Sequence, residues 1–599
     1  MIAFGLLSFA VSAGYLLYMR KTRAGDKPEG SGLSRAPFLV LSIIFTLSLA
    51  ASILFVATAT YVFPIPYYIT TALCYGVIAL QVLLMKEEQK GVIYSSLIEL
   101  LAISLLVRFA PIYTYDGMLG VDPWLSLRMN ADIANFGHIP GDWNTSNFPF
   151  FHYVTAIFSF ITGVSFKASL TWSIGLLEVL SLLFVFLAGK LLAGNKVGLL
   201  CAVFVGFNKF HIEWGGVSLI AMSLGIFYFS LIIYLVIKVW KTRSTVFRVI
   251  LLLFLLSLVM THTLVSVTTF ILLATFYIGF KAHKRIFGGE GGRAEVQSTT
   301  APVTWSLVLF YGVLVLGYWM YASSFFSEII PPILYALDTI RGELVPQVAM
   351  SYYSSVAEKV MSEVEYLIII ELTILGALFW LSKKFRRPER TMVAMFILAL
   401  FTILQVFDYA DIDVALPDRW YVFYYLGVGI PIAFALVEIS RCFRVAGTTV
   451  SAMAIFALAF LMISSPLANV ESPMYSSERR GAFLDSEIAS LEWIEEACSG
   501  TIVTDAYYDY PAQHKYGRET QQLDGRIFEE RSYPESSSYV VRKYIIDYSL
   551  PIVDPTIHGN FGYVGKSLDI SERVLQHFEM GNYNKIYDNG VVWAYRDVN

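Results

Sequence analysis

Four short stretches carry groups able to act on a charged substrate: Asp122-Pro123-Trp124 with Arg128, His211-Ile212-Glu213, Ser355-Val356-Ala357-Glu358, and Pro417-Asp418-Arg419-Trp420. Each stands at the edge of an apolar run. Carboxylates gathered at one interface suit a divalent cation such as Mg2+ or Mn2+, which takes hard oxygen ligands. A cation of that kind neutralises a phosphate leaving group. A guanidinium nearby clamps the same phosphate with two parallel N–H donors. Taken singly, each stretch also has a plain structural reading. Asp before Pro starts a helix. His211 and Glu213 share a side if the segment is extended, but they also suit a polar interfacial turn. Ser355–Glu358 reads as a solvated helix turn, and an Arg beside a Trp snorkels at a membrane edge.

The elements that must position these groups are membrane spans. Of 599 residues, 56% are hydrophobic and only 15% charged, against about 25% charged in a soluble domain. A disordered chain, a soluble multidomain enzyme and a collagen-like fibre are excluded. Hydropathy predicts about fourteen spans, at 2–19, 37–63, 67–85, 91–109, 168–189, 197–208, 215–237, 246–261, 264–280, 303–321, 365–382, 391–407, 420–438 and 447–465. The aromatic segment 149–165, opened by Pro149, is expected to lie along the interface. The first span has no charged region before it and reads as retained rather than cleaved.

The net charge of −4 hides a split: residues 470–599 hold 21 acids and 12 bases, and the remainder holds 26 acids and 31 bases. Twenty-four of those 31 bases fall on alternate loops, which are cytoplasmic by the positive-inside rule. Both termini and the acidic tail are then outside, at the plasma membrane. So are two long loops, 110–148 and 322–364, both rich in aromatic and apolar residues and expected to be ordered. The linker around Gly288–Thr300 reads as flexible. The tail predicts a small α/β domain: a helix at Ser486–Cys498, a strand at Thr501–Thr504 and a hairpin at Ile586–Tyr595 around Asp588-Asn589-Gly590. Its only cysteine, Cys498, allows no disulfide within the tail. This divides the chain into extra N-terminal helices (1–90), a catalytic membrane domain (91–469) and an extracytoplasmic domain (470–599).

From about residue 91 onward the sequence resembles the GT-C superfamily of integral-membrane glycosyltransferases, and within it the catalytic subunit of archaeal oligosaccharyltransferase. Asp122-Pro123-Trp124 with Arg128 resembles the first-loop Asp motif, and His211-Ile212-Glu213 falls at the second acidic motif. Ser355-Val356-Ala357-Glu358 is similar to the S-V-x-E motif, and Arg419 to an Arg at the mouth of a late span. Tyr507–Pro511 (YYDYP) sits where the family has WWDYG. The resemblance implies a GT-C-like membrane domain of about 14 helices with a small extracytoplasmic α/β domain. It implies Asp122 and Glu358 as catalytic groups, with Asp122, His211 and Glu213 around a divalent metal. It implies Arg419 on the donor phosphate, and Tyr507, Tyr508, Asp509 and Tyr510 on the acceptor. The partners implied are a polyprenyl- or dolichyl-linked sugar donor, an extracytoplasmic protein, glycan or lipid acceptor, and the bilayer, with no nucleic acid. His211 replaces an acid, and YYDYP lacks both Trp residues and the Gly.

Other readings stay open. A GT-C enzyme moving one sugar from polyprenyl phosphate would use Asp122 as base toward a hydroxyl. A transporter would make the intramembrane Glu178 and Glu371 functional, although no internal repeat is visible. A catalytically dead scaffold is the third. Glu178 has either a neighbouring polar group or His262 as partner. His262 and His138 read as capping or packing residues, and the sequon Asn144-Thr145-Ser146 as a chance match.

Overall fold

An apolar run crossing hydrocarbon can satisfy its backbone only as a helix, and the described chain follows that rule. The computed structural model describes residues 35–87, 89–139, 148–287, 301–323, 325–327, 356–382, 384–410, 417–465, 467–469, 482–498, 500–505, 507–523, 537–544, 550–551, 567–568, 577–578 and 583–597. The expected span 2–19, the linker 288–300, the sequon and most of the second long loop lie outside the described residues.

The membrane body runs α1 (Arg35–Thr58), α2 (Ile65–Leu84), α3 (Lys90–Thr114), α4 (Asp122–Phe136), α5 (Phe150–Thr162), α6 (Phe166–Ala193), α7 (Asn195–Phe207) and α8 (Lys209–Val217). It continues with α9 (Ala221–Thr242), α10 (Thr245–Val259), α11 (Thr263–Phe287), α12 (Trp305–Ala322), α13 (Val356–Leu381), α14 (Pro388–Ala410) and α15 (Pro417–Ile463). Among the described residues, ten helices are long and apolar enough to cross a membrane, or eleven if the bent pair α7–α8 is one span.

Helix α15 accounts for two of the expected spans. Its 47 residues would stretch roughly 70 Å if straight, twice what a bilayer core needs. The backbone breaks at Arg444 (φ 50°, ψ −119°). Beyond it the chain folds back, so that the Ser440 and Thr448 hydroxyls meet at 2.6 Å and Ser451 donates to the Leu436 carbonyl at 3.1 Å. These contacts define a helical hairpin matching spans 420–438 and 447–465. Helix α5, at 13 residues, is only about 20 Å long, too short to cross, in keeping with the interfacial reading. Helix α10, expected as a span, has 15 residues and reaches only about 23 Å.

A polar group buried in the body away from water is costly unless it is hydrogen-bonded, and Glu99 is one that is. Glu99 accepts from Ser42 (2.7 Å), Ser95 (3.3 Å) and Gln81 (3.4 Å).

The tail contains α16 (Asp485–Ala497), β1 (Ile502–Thr504), α17 (Asp509–His514), β2 (Thr520–Gln522), β3 (Ser538–Arg542), β4 (Leu550–Pro551), β5 (Ser567–Leu568), β6 (Tyr583–Asp588) and β7 (Val592–Asp597). Five strands form one mixed sheet in the order β2-β1-β3-β7-β6, and β4 pairs with β5. The predicted helix, strand and hairpin are all present. The hairpin turns where sequence chemistry places it: Gly590 takes φ 80° and donates to Asp588 Oδ1 at 2.8 Å. Positive φ is open to glycine at little cost.

Candidate active site

The bent segment α7–α8 is the centre of the site. At Asn208 the helix axis turns by 66°, and the Asn208 side chain caps the new helix by accepting from the His211 amide at 3.0 Å. Helix α8 finishes in a π-turn, Glu213–Val217. Two further π-turns, Thr171–Gly175 in α6 and Tyr318–Ala322 in α12, also interrupt apolar helices. Such turns concentrate at functional sites. Because the segment is helical, His211 and Glu213 lie on different sides of it, not on one side of an extended strand.

His211 points inward. It is 1% exposed, and its Nδ1 lies 2.8 Å from Glu178 Oε1 and 3.1 Å from Arg108 Nη2. The partner of Glu178 is thus His211 and not His262. Donation from Nδ1 to Glu178 leaves the lone pair of a neutral ring on Nε2, which has no partner among the described residues. A carboxylate behind an imidazole is the arrangement that orients metal-binding histidines. Arg108, fully buried, also donates to the Gly206 carbonyl at 2.9 Å. The backbone of α8 presses onto this cluster. A Cβ at Gly215 would stand 2.5 Å from Glu178 Oε1, and one at Gly216 would stand 2.5 Å from Arg108 Cγ. Lys209, at the start of α8, makes a second buried ion pair, with Glu365 of α13 at 2.9 Å. Neither Arg108 nor Lys209 stands out in the sequence as more than a charge near a span edge.

Outside this packed layer the predicted site residues meet. Arg419, at the start of α15, reaches Asp122 at 3.5 Å (Nη2 to Oδ2). Its guanidinium carbon lies 4.9 Å from the centre of the Trp214 ring, adjacent in sequence to the half-buried Glu213. Asp122 occupies the first turn of α4, with Pro123 beside it and Val121 as N-cap. Its side chain is 45% exposed and so open to a ligand. His262 lies close enough for the charge of Arg419 to act on it. Glu358 is in the first turn of α13; its side chain lies outside the described residues. Among the described residues, no three His, Cys, Asp or Glu side chains group closely enough to hold a metal ion. Asp122 and Glu213 are the donors this face offers.

The tail docks over the same end of the body. Asp485 accepts from Tyr61 at 3.0 Å, and Phe483 packs against Trp124 of α4 with ring centres 6.1 Å apart. Helix α17, carrying most of YYDYP, contacts α4 directly. Tyr508 is fully buried and donates to the Glu487 carbonyl, so it belongs to the domain core. Tyr507, Asp509 and Tyr510 are half-buried. The core beneath them is held by Arg542, which forks onto Asp505 at 2.6 and 2.8 Å.

His514 at the end of α17 reports on this docking. Burial, with the charge of Arg128 second, lowers its pKa from 6.5 to about 4. An unfolded chain therefore takes up a proton near pH 6.5 that the folded domain refuses until near pH 4. Stability from this group is complete above pH 6.5 and is lost as pH falls through about 4. Amide exchange in β1 and β3 is expected to accelerate over that window, and H514Q to flatten the dependence.

The helical body thus carries the candidate site at one end, beneath a small mixed α/β domain. The fold is similar to that of the archaeal oligosaccharyltransferase AglB from Archaeoglobus fulgidus in complex with an inhibitory peptide and a dolichol-phosphate. That match has a TM-score of 0.51 at 12% identity, covering 72% of this chain and 64% of that one. The apo form of the Archaeoglobus fulgidus enzyme matches with a TM-score of 0.50, 12% identity and the same coverage. ArnT from Cupriavidus metallidurans in the apo state gives 0.44 at 10% identity, over 84% of this chain and 97% of that one. At such identities the likeness is one of fold, and the chain spans 64% of the length of the oligosaccharyltransferase. No protein-family model matches the sequence, and no curated protein does.

Proposed function

We propose that the chain is a membrane glycosyltransferase that moves a sugar or oligosaccharide from a polyprenyl-(pyro)phosphate carrier to an extracytoplasmic acceptor. The observation that carries this reading is the Arg419–Asp122 contact, 3.5 Å long, over Trp214 and beneath the tail. It joins a phosphate-binding group and an exposed carboxylate at one membrane edge, next to a water-soluble domain able to present an acceptor. The GT-C-like fold supports the same reading.

The acceptor oxygen or nitrogen attacks the anomeric carbon, the bond from that carbon to the phosphate oxygen breaks, and the electron pair leaves with the phosphate. Arg419 binds that phosphate, and Asp122, freed from Arg419 by the donor, takes the acceptor proton with Glu358 as the second carboxylate. A divalent cation at this face would be held by Asp122 and Glu213 and would supply charge neutralisation at the leaving group; His211, turned inward onto Glu178, does not fit the same set. Tyr507, Asp509 and Tyr510 face the acceptor, while Tyr508 holds their helix against the domain core.

Burial of Tyr508 inside the altered YYDYP stretch favours a second reading, the transfer of a single sugar to a glycan or lipid. Transport is disfavoured, because Glu178, one of the two carboxylates that reading would use, is paired with His211.

Replacing Arg419 by Gln is expected to lower kcat/KM for the lipid-linked donor on the order of 10²-fold, mostly through weaker donor binding. Lys should restore little, since it lacks the planar fork. Mass spectrometry of cell-surface proteins and lipids from a deletion strain tests the function itself. Loss of protein N-glycans is the outcome for oligosaccharyl transfer, and loss of one sugar from a larger glycan is the outcome for the second reading. An unchanged surface overturns both.

A further inference from the structure

At the opposite end of the membrane body the helix ends enclose a basic pocket that the transfer reaction does not use. Arg441, on its rim, lies 22 residues beyond Arg419 in α15, roughly 33 Å along the helix. The cavity measures about 390 Å³ and is lined by Lys190, Lys384, Arg387, Arg390, Arg441 and Phe434, among others. The bases come from three separate places: the end of α6, the turn between α13 and α14 with the first turn of α14, and the turn of the α15 hairpin. Convergence from separate elements is the mark of a pocket and not of one charged helix face.

Charge bookkeeping sets the ligand. Arg441 is neutralised locally, by Glu438 at 2.6 Å and Glu87 at 3.6 Å. Among the described residues no carboxylate lies within ion-pair distance of Lys190, Lys384, Arg387 or Arg390. Arg390 is only 7% exposed, its guanidinium stacks 4.6 Å from the Phe434 ring centre, and its buried Nε has no partner. Arg390 donates to the Phe385 carbonyl and feels the charges of Glu389 and Glu438 only from beyond ion-pair distance; with Lys190, Lys384 and Arg387 the pocket still holds an excess of cations, which repel one another unless an anion joins them. A compact tetrahedral anion with several acceptor oxygens satisfies them best. The Lys and Arg distribution assigns this end to the cytoplasm, where basic pockets between spans take anionic headgroups.

We propose that this pocket binds a phosphate group, presented by an anionic membrane lipid whose chains lie along α6 and α15. Arg390 and Phe434 form its floor, and Lys190, Lys384 and Arg387 its rim. The site lies apart from Asp122 and Arg419, so it stands whether or not the transfer reading does.

The full-length chain in nanodiscs tests this. Discs are made from phosphatidylcholine alone, or doped with phosphatidylglycerol, and native mass spectrometry and Tm are read. Phosphatidylglycerol is expected to be retained by the protein and to raise Tm. The rim variant K384Q/R387Q, which alters only exposed side chains, should retain it on the order of thirtyfold less, at about fivefold per charge. K190Q, at a separate helix end, should lose about fivefold. Inorganic phosphate added to phosphatidylcholine discs separates the two sources of the group. A Tm rise with phosphate that the rim variant lacks assigns the pocket to free phosphate, and a rise with phosphatidylglycerol alone assigns it to the lipid. The proposal is overturned if neither probe acts, or if K384Q/R387Q and K190Q respond as the wild type does.

Discussion

Asp122→Ala is expected to lower the proposed sugar transfer by about 10²- to 10³-fold or more, and to leave the protein folded. Both halves of that result follow from where the side chain stands. Its side chain is 45% exposed and makes no capping hydrogen bond, and the helix it opens keeps Pro123 in its first turn. What is lost is the negative charge facing Arg419, the Glu213 segment and the incoming acceptor. Asn at this position keeps the shape and removes the charge, so it should be nearly as inactive as Ala. Folding is checked by Tm and by retention on size-exclusion chromatography. A fall in transfer matched by a fall in Tm would instead make Asp122 a structural residue.

Arg108→Met gives the second large effect, on stability and activity together. Arg108 and Glu178 are opposite charges buried around His211, where water cannot compensate either one. Removing one member of a buried charge cluster costs about 3–5 kcal/mol. Because Gly215 and Gly216 pack directly on Glu178 and Arg108, the loss is transmitted to α8 and displaces Glu213. Arg108→Met is therefore expected to lower Tm strongly and to reduce kcat. Combining it with Glu178→Gln removes both charges, and should recover much of the Tm. Transfer should recover less, because the imidazole of His211 is then no longer oriented. Equal Tm values for the single and double variants would show that the two charges are not coupled.

Much of this architecture was legible because it depends on short-range patterns. The hydropathy spans, the interfacial segment 149–165 and the Asp588-Asn589-Gly590 hairpin all rest on local chemistry. The alternation of Lys and Arg kept the hairpin of α15 as two spans, although the chain there is helical almost without interruption. The pairing of Asp122 with Arg419 was anticipated only as a shared membrane face. The layer behind the site was not legible. Glu178, His211 and Arg108 come from three helices, and nothing in spacing announces that they meet. Nor does the sequence around Asn208 announce a 66° bend, since the bend exists because those partners and the two glycines draw α8 inward. Tyr508 was grouped with its neighbours as acceptor-facing, because an aromatic run does not show which ring a domain core will take.

The most direct test is transfer by the purified chain in liposomes containing polyprenyl-phosphate- and polyprenyl-pyrophosphate-linked sugars, followed by mass spectrometry of the lipid carrier. The expected result is loss of sugar from the carrier, with release of the free polyprenyl phosphate or pyrophosphate. That loss should stop on chelation, return with Mg2+ or Mn2+, and be absent in Asp122→Ala and Arg419→Gln. Carriers left intact by the wild-type protein, or consumed equally by wild type and both variants, would contradict the assignment of this face as a glycosyl-transfer site.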